Sequence, residues 1–355
     1  MNGVSLPMRD GTVLPEDSVG FSDKLAFLDR MFHGAERIET HSAFVFLTVE
    51  HAFKIKKPVL LASLDHRSLA AREHACREEV RLNRQLAGDG VYLGLDALVL
   101  RSDGALALGG KDRVVDWLVR MRRLPADRML DKMLVAGHIP GRDDIAAVAN
   151  RLVAFYRQRR TDPARPRVYL AHLLKEGEVN ARHLLDMRDH LDGADIDGLA
   201  AQAQALIARH TSEIEEREAV RLVVEGHGDL RPEHVCLTTP PVIFDRIEFA
   251  TEMLMIDIFD EANYLGLECA MLGTAWIGPR VMDILRAAGF AAPSEGLMRA
   301  YGAFRCMTRA RLSIDHLLDR HPRTPTKWPV QARAYLARAA ETMKIASPPG
   351  PSRSG

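Results

Sequence analysis

Residues 227–245 read HGDLRPEHVCLTTPPVIFD. After the loop opened by His227, Gly228 and Asp229, the apolar run Val235, Cys236, Leu237 reaches the turn-like Thr238, Thr239, Pro240, Pro241, and Val242, Ile243, Phe244 then runs back. Two short apolar runs joined by four turn-forming residues predict a β-hairpin. Pairing Leu237 with Val242 sets Val235 opposite Phe244 and returns Asp245 to the side of His234. That fold-back is expected to bring Asp229 and Asp245 into one pocket.

Protein kinases use such an arrangement for phosphoryl transfer. One aspartate accepts the proton of the attacking hydroxyl, a polar residue five positions later holds metal, and a second aspartate at the end of the following hairpin binds Mg2+. The pattern HGDLxxxH followed by FDxIEF resembles the catalytic loop and metal-binding segment of the aminoglycoside phosphotransferase-like branch of the protein-kinase-like fold. The resemblance implies that Asp229 is the catalytic base, His234 the first metal ligand and Asp245 the main one. It also implies that His227 orients the loop, and that Arg231 stands where a kinase places a lysine beside the transferred phosphate. Asp257 resembles the helix aspartate that braces the catalytic loop, or else it is a helix N-terminal charge. Glu248, three positions after Asp245, either assists metal or substrate or bonds its own loop.

His234 is the chief departure, because this fold usually carries asparagine there. Mg2+ prefers hard oxygen ligands to an imidazole nitrogen. Three outcomes stay open: a softer ion such as Mn2+, a bond to Asp245 or a phosphate instead, or weak metal affinity.

Kinase-like sites also need a strand lysine on the nucleotide phosphates, held by a glutamate from the neighbouring helix. The segment AFKIKKP offers Lys54 and Lys56 on one strand face and Lys57 on the other. Lys54 resembles the family's lysine at the end of paired strands, with Lys56 in reserve. In the helix expected over residues 68–86, Leu69, Cys76, Val80, Leu82 and Leu86 define one apolar face with Glu79 near its middle. A carboxylate there is costly unless paired, so Glu79 is the expected partner of Lys54. The loop over the phosphates would be Thr40, His41 and Ser42, which holds no glycine; the same residues also suit a tight polar turn. Trp117 to Met121 would supply the connection between lobes against which adenine stacks; the same residues equally suit a buried strand.

ETHSAFVFL, AFKIKKPV, CREEVRLNRQLA, VRMRRLP and HGDL with FDRIEF together look like a bacterial, substrate-unassigned member of the same family, across residues 36–320. The resemblance implies an α+β, bilobal protein-kinase-like fold with a small β-rich N-lobe and a larger, mostly helical C-lobe. The expected divisions are an N-terminal extension (1–35), an N-lobe (36–121), a C-lobe (122–345) and a disordered tail (346–355). Strands are expected over 37–39, 44–48, 52–56 and 114–121. Helical periodicity marks Ile145 to Phe155 and Ile196 to His210, and further helices are expected over 256–272, 297–318 and 330–343.

At 355 residues and 47% apolar composition, the chain is long enough to bury a large core. Its 48 basic and 48 acidic residues cancel, which argues against nucleic acid as a partner. No segment has a secretory h-region or the length of a membrane span, and four scattered cysteines suggest neither zinc nor disulfides, so a cytoplasmic protein is expected. The implied cofactors are ATP and Mg2+, with Mn2+ possible, and the implied partners are a nucleotide and a small-molecule acceptor. The leading expectation is a kinase-like phosphotransferase acting on a hydroxyl. A catalytically weak nucleotide-binding scaffold and transfer of AMP on the same fold are the alternatives.

Overall fold

A computed structural model describes residues 19–61, 64–160, 167–248, 251–318 and 324–344. The Pro-rich TDPARPR stretch at residues 161–167, whose composition predicts a loop between helices, falls almost wholly outside these residues, and the expected tail wholly so. Among the described residues, no helix is long and apolar enough to cross a membrane. The chain divides into two compact units, Met1–Leu124 with Glu248–Ala250 and Pro125–Ile247 with Thr251–Gly355.

The first unit holds helices α1 (Phe21–Met31) and α2 (Leu69–Ala87) and strands β1 (Glu36–Glu39), β2 (Ala43–Leu47), β3 (His51–Lys56), β4 (Leu60–Leu61), β5 (Leu64–Asp65), β6 (Tyr92–Leu100), β7 (Leu106–Leu108) and β8 (Arg113–Arg122). Six of these strands form one antiparallel sheet in the order β1-β2-β3-β8-β6-β7. Alternation gives β2 and β3 two different faces. Phe44, Phe46, Phe53 and Ile55 bury against Leu28 of α1, together with Leu98, Val115 and Leu118. Lys24 of α1 is also buried, donating to Val115 O at 2.8 Å and to Asp116 at 3.0 Å; Arg72 of α2 reaches the other Asp116 oxygen at 2.9 Å. Within the 1–35 stretch expected as an extension, Phe21–Met31 forms this packed helix, and residues 1–18 lie outside the described residues. Helix α2 packs on β6 and β8; Ser68 caps its start by accepting from Ala71 N, and Gly88, at φ 90°, closes its end. Strand β6 was not expected. A register irregularity between Tyr92 and Gly94 breaks the alternation by which a strand is recognised.

The second unit is mostly helical: α3 (Leu130–Val135), α4 (Arg142–Arg159), α5 (Val168–Asp186), α6 (Ile196–Arg209), α7 (Thr211–Ala219), α8 (Thr251–Leu254), α9 (Ile258–Met271), α10 (Ile277–Ala287), α11 (Glu295–Asp315) and α12 (Lys327–Met343). Two short antiparallel pairs are set among them, β9 (Val223–Glu225) with β12 (Met255–Asp257), and β10 (Val235–Cys236) with β11 (Val242–Ile243). Ile256 and Asp257 thus belong to a strand and not to the helix expected over 256–272, because β9 supplies their pairing partners. Helix α9 is buried along nearly its whole length and packs against α10 and α11. A Cβ on Gly266 of α9 would lie 2.5 Å from Gly278 Cα of α10, so glycine is required where these helices touch. Around this axis, α5, α6, α11 and α12 enclose an apolar core that includes Leu184, Ala303, Met307 and Leu336.

The expected hairpin exists, in a register shifted by one. Val235 faces Ile243 and Cys236 faces Val242, in place of Leu237 with Val242 and Val235 with Phe244. Leu237 is taken by a different partner: its N–H donates to Arg128 O at 2.8 Å, and the Arg128 guanidinium returns a bond to Leu237 O at 2.7 Å. The connection lengthens to Leu237–Pro241 accordingly.

Candidate active site

Burial and backbone bonds shape the loop from Gly226 to His234. Glu261 of α9 is fully buried, and one of its oxygens accepts from His227 N at 2.8 Å and Gly228 N at 2.7 Å. Its other oxygen accepts from the Tyr156 hydroxyl at 2.7 Å. Burial raises the Glu261 carboxyl above the ordinary glutamate range, against the pull of these donors. Gly228 sits at φ 86°, and a Cβ on it would come within 3.1 Å of Met253 O. A side chain there would push the loop off Glu261. His227 is fully buried as well. Its Nε2 lies 2.7 Å from Phe244 O, a pure acceptor, so Nε2 carries the proton and Nδ1 accepts from Asp229 N at 3.3 Å. Burial, with His234 adding to it, pushes the His227 pKa down to about 3 and keeps the ring neutral.

The segment after the hairpin is stitched onto this loop. His227 Nε2 holds Phe244 O, Ile247 N donates to His227 O at 3.2 Å, and the buried Arg246 guanidinium gives Gly226 O bonds of 3.0 and 2.7 Å. Asp245 is delivered between these contacts at φ 63°, a left-handed backbone that is uncommon for a residue other than glycine. The imidazole of His234 lies between the two acids, Nδ1 4.0 Å from an Asp229 oxygen and Nε2 3.7 Å from an Asp245 oxygen. His234 Nδ1 also sits 2.7 Å from Asp229 O. Its ring stacks on His227 with centroids 5.4 Å apart and meets Phe244 edge-on.

Asp229 keeps a 28% exposed side chain that three donors hold in place: Arg231 at 2.9 and 2.8 Å, one bond to each oxygen, and the Tyr264 hydroxyl at 3.1 Å. Burial alone would raise its carboxyl. Arg231 and His234 outweigh that, and Asp229 stays well below the usual carboxylate range. Burial, together with the Asp229 charge, raises Tyr264 well above the ordinary phenol, so it remains a donor. Arg231 pairs with Glu233 too. Beyond Tyr264, Glu268 accepts from Arg309 at 3.1 Å and from Tyr335 at 2.9 Å.

In the first unit, Lys54 and Lys56 share Glu79, whose carboxylate is fully buried. Lys54 reaches Oε1 at 2.9 Å and Lys56 reaches Oε2 at 2.7 Å. The pair expected from the helix face is present, with a second lysine added. Lys56 is also bonded to Glu248 at 2.5 Å. Although burial opposes its charge, Glu79 and Glu248 hold the Lys56 ammonium above the usual lysine range. Lys54 is the more accessible of the two, with 13% of its side chain exposed against 2%. The 40–42 segment is a tight turn: Thr40 N donates to Ala43 O at 2.8 Å and the Thr40 hydroxyl accepts from Ala43 N at 3.0 Å. His41 is exposed and Ser42 half-buried, its carbonyl accepting from Lys57 N. Met121 lies in β8, paired with Ala52 of β3 and Tyr92 of β6.

Asp257 caps α9 through Phe259 N at 2.8 Å and pairs with Arg217, while the carboxylate that actually carries the loop is Glu261, which the sequence reading missed. A signal for it exists in the sequence. Asp257, at the helix N-cap, and Glu261, Tyr264 and Glu268 along it recur at steps of four, three and four residues, which marks a polar stripe inside a core.

Among the described residues no group of three or more His, Cys, Asp or Glu side chains converges on a metal position. His234 Nε2 and the Asp245 carboxylate offer two donors, which suits an ion whose remaining ligands are phosphate oxygens and water, the usual manner for a nucleotide-bound divalent ion.

No protein-family model matches the chain. Uncharacterised proteins of Mycobacterium tuberculosis (strain ATCC 25618 / H37Rv) and Mycobacterium bovis are each 30% identical to it over 290 residues, covering 77% of this chain and 53% of theirs, so the chain spans about half the length of these relatives. Among solved structures, it is similar to a spectinomycin phosphotransferase in complex with ADP and spectinomycin (TM-score 0.50, 11% identity, 91% of this chain and 98% of that one). It is similar to the same degree to choline kinase from Cryptosporidium parvum Iowa II (TM-score 0.50, 11% identity, 90% and 96%). With its antiparallel sheet, helical remainder and these likenesses, the chain has the α+β protein-kinase-like fold of that spectinomycin phosphotransferase and that choline kinase.

Proposed function

We propose that the protein is an ATP-dependent phosphotransferase acting on a hydroxyl of a small molecule. The observation that carries the reading is the stitching of residues 244–247 onto 226–228, which leaves Asp229 and Asp245 on either side of His234. Asp229 binds and orients the acceptor hydroxyl. Its carboxyl is held far below neutral pH, so it is a weak base that accepts a hydrogen bond first and the proton late. That suits phosphoryl transfer, whose loose transition state asks for positioning and charge neutralisation more than for early proton removal. Tyr264 fixes one Asp229 oxygen, and His227 keeps the loop in register as a neutral donor. Lys54 is assigned to the nucleotide phosphates and Lys56 to bracing Glu79 and Glu248. A divalent ion held by Asp245 and His234 would supply charge neutralisation at the phosphates. The Thr40 hydroxyl is engaged in its own turn, and in this reading the Ser42 hydroxyl and backbone N–H groups of that loop approach phosphate.

One observation favours a catalytically weak nucleotide-binding scaffold as the second reading: Arg231 engages both oxygens of Asp229. Under the first reading this guanidinium stays on Asp229, holding its carboxyl ionised, and lies beside the place of the transferred phosphate. The two separate on incubation of the purified protein with ATP, a divalent ion and a metabolite pool, followed by mass spectrometry. A product heavier by one phosphoryl group, lost in Asp229→Asn, supports the phosphotransferase. Thermal stabilisation by ATP and metal without any product supports the scaffold, and a heavier AMP adduct supports nucleotidyl transfer.

A further inference from the structure

We propose that His234 Nε2 is a direct nitrogen ligand of the nucleotide-bound divalent ion and moves the site's preference from Mg2+ toward Mn2+ or Co2+; this rests on the phosphotransfer reading. A backbone carbonyl can only accept, so with His234 Nδ1 2.7 Å from Asp229 O the proton is on Nδ1. In the neutral ring the lone pair is therefore on Nε2, the atom nearer Asp245. The 3.7 Å from Nε2 to the Asp245 oxygen is too long for a hydrogen bond. It is a gap that two donors, each about 2 Å from a common ion, can span.

The ring is not free to choose another pose. It is only 7% exposed, stacked on His227 at an interplanar angle of 15° and set edge-on to Phe244. An imidazole whose far nitrogen donates to a backbone carbonyl is the arrangement by which proteins orient a metal-binding histidine and fix its tautomer. Carboxylates flank the ring on both sides, favouring a cation there. Imidazole nitrogen suits Mn2+ and Co2+ better than Mg2+, which holds to oxygen and to near-ideal octahedral geometry. The histidine thus becomes a selectivity element.

The test uses the full chain with Mn2+ and β,γ-methylene-ATP, read by pulsed electron paramagnetic resonance. The expected result is a directly bonded nitrogen coupling that changes when the protein's histidines carry nitrogen-15 and is absent from His234→Asn. The ratio of Mn2+ to Mg2+ affinity, from competition titration, is expected to fall about tenfold or more in that variant. If the variant does not fold, the labelled parent decides alone. Mn2+ bound with nucleotide but without histidine nitrogen, or an unchanged affinity ratio, overturns the proposal and leaves phosphotransfer standing. Absence of any metal-dependent nucleotide binding, with Asp245→Ala indistinguishable from the parent, overturns both.

Discussion

Lys56 Nζ donates to Glu248 Oε1 at 2.5 Å across 192 residues of sequence. The residue three positions beyond Asp245 is thereby tied to the β3 lysine that also holds Glu79. Two buried carboxylates and one buried ammonium form a unit in which each charge depends on the others. Lys54, on the same strand face, is bonded to Glu79 and is the more accessible member.

The two lysines should therefore separate experimentally. Lys56→Met deprives buried Glu248 of this ammonium and is expected to cost about 3–5 kcal/mol in denaturant unfolding. Lys54→Met leaves Glu79 with Lys56 and should cost less stability. Its effect should appear as nucleotide affinity weakened about tenfold or more, the worth of one charge-assisted hydrogen bond. Equal stability losses, or unchanged affinity in Lys54→Met, would contradict the division of roles.

Asp229→Asn preserves the shape of the side chain and removes its charge. Transfer is expected to drop about 10²–10⁴-fold while metal-nucleotide binding persists, since Asp245 and Lys54 are untouched. Turnover within a few-fold of the parent would count against Asp229 as the group that positions the acceptor.

Glu261→Ala strips an acceptor from two backbone N–H groups and the Tyr156 hydroxyl, all buried. Each orphaned donor costs about 1–3 kcal/mol, so the variant should be strongly destabilised. Glu261→Gln keeps one carbonyl oxygen for the two N–H groups and should lose much less, because burial already disfavours the charged form. Comparable melting temperatures for the two variants would show that the loop is carried elsewhere.

His227 supplies a pH dependence with a definite sign. Its pKa falls from the ordinary 6.5 to about 3 in the folded chain, so protonation favours the unfolded chain. Stability from this ring is complete above about pH 6.5 and is lost as pH falls toward 3, by about 1.4 kcal/mol per pH unit. His227→Gln should flatten the acid limb of the unfolding free energy by up to one proton. A slope unchanged in the variant would mean that the folded ring takes up protons freely. His66 in the first unit, lowered to about 4 chiefly by burial, adds a similar limb of its own that this substitution leaves in place.

What the sequence determined on its own was local. The HGD loop, the hairpin that follows it, the lysine-bearing strand and the helix face bearing Glu79 were all legible, because strand alternation, helical periodicity and turn chemistry act over a few residues. Burying a carboxylate on an apolar helix face demands a cation, and this pointed to a lysine for Glu79. The tertiary structure decided what depends on distant partners. Arg128 draws Leu237 out of the hairpin and shifts its register by one, and β9 converts Ile256 and Asp257 from helix to strand. Glu261, not Asp257, holds the loop, and Lys56 closes on Glu248. Which atom of His234 carries the proton was likewise fixed by a carbonyl. A residue's neighbours in sequence set its backbone and its face, but a buried polar atom must be satisfied by whatever the packed chain brings within hydrogen-bond distance, and no local pattern specifies that partner.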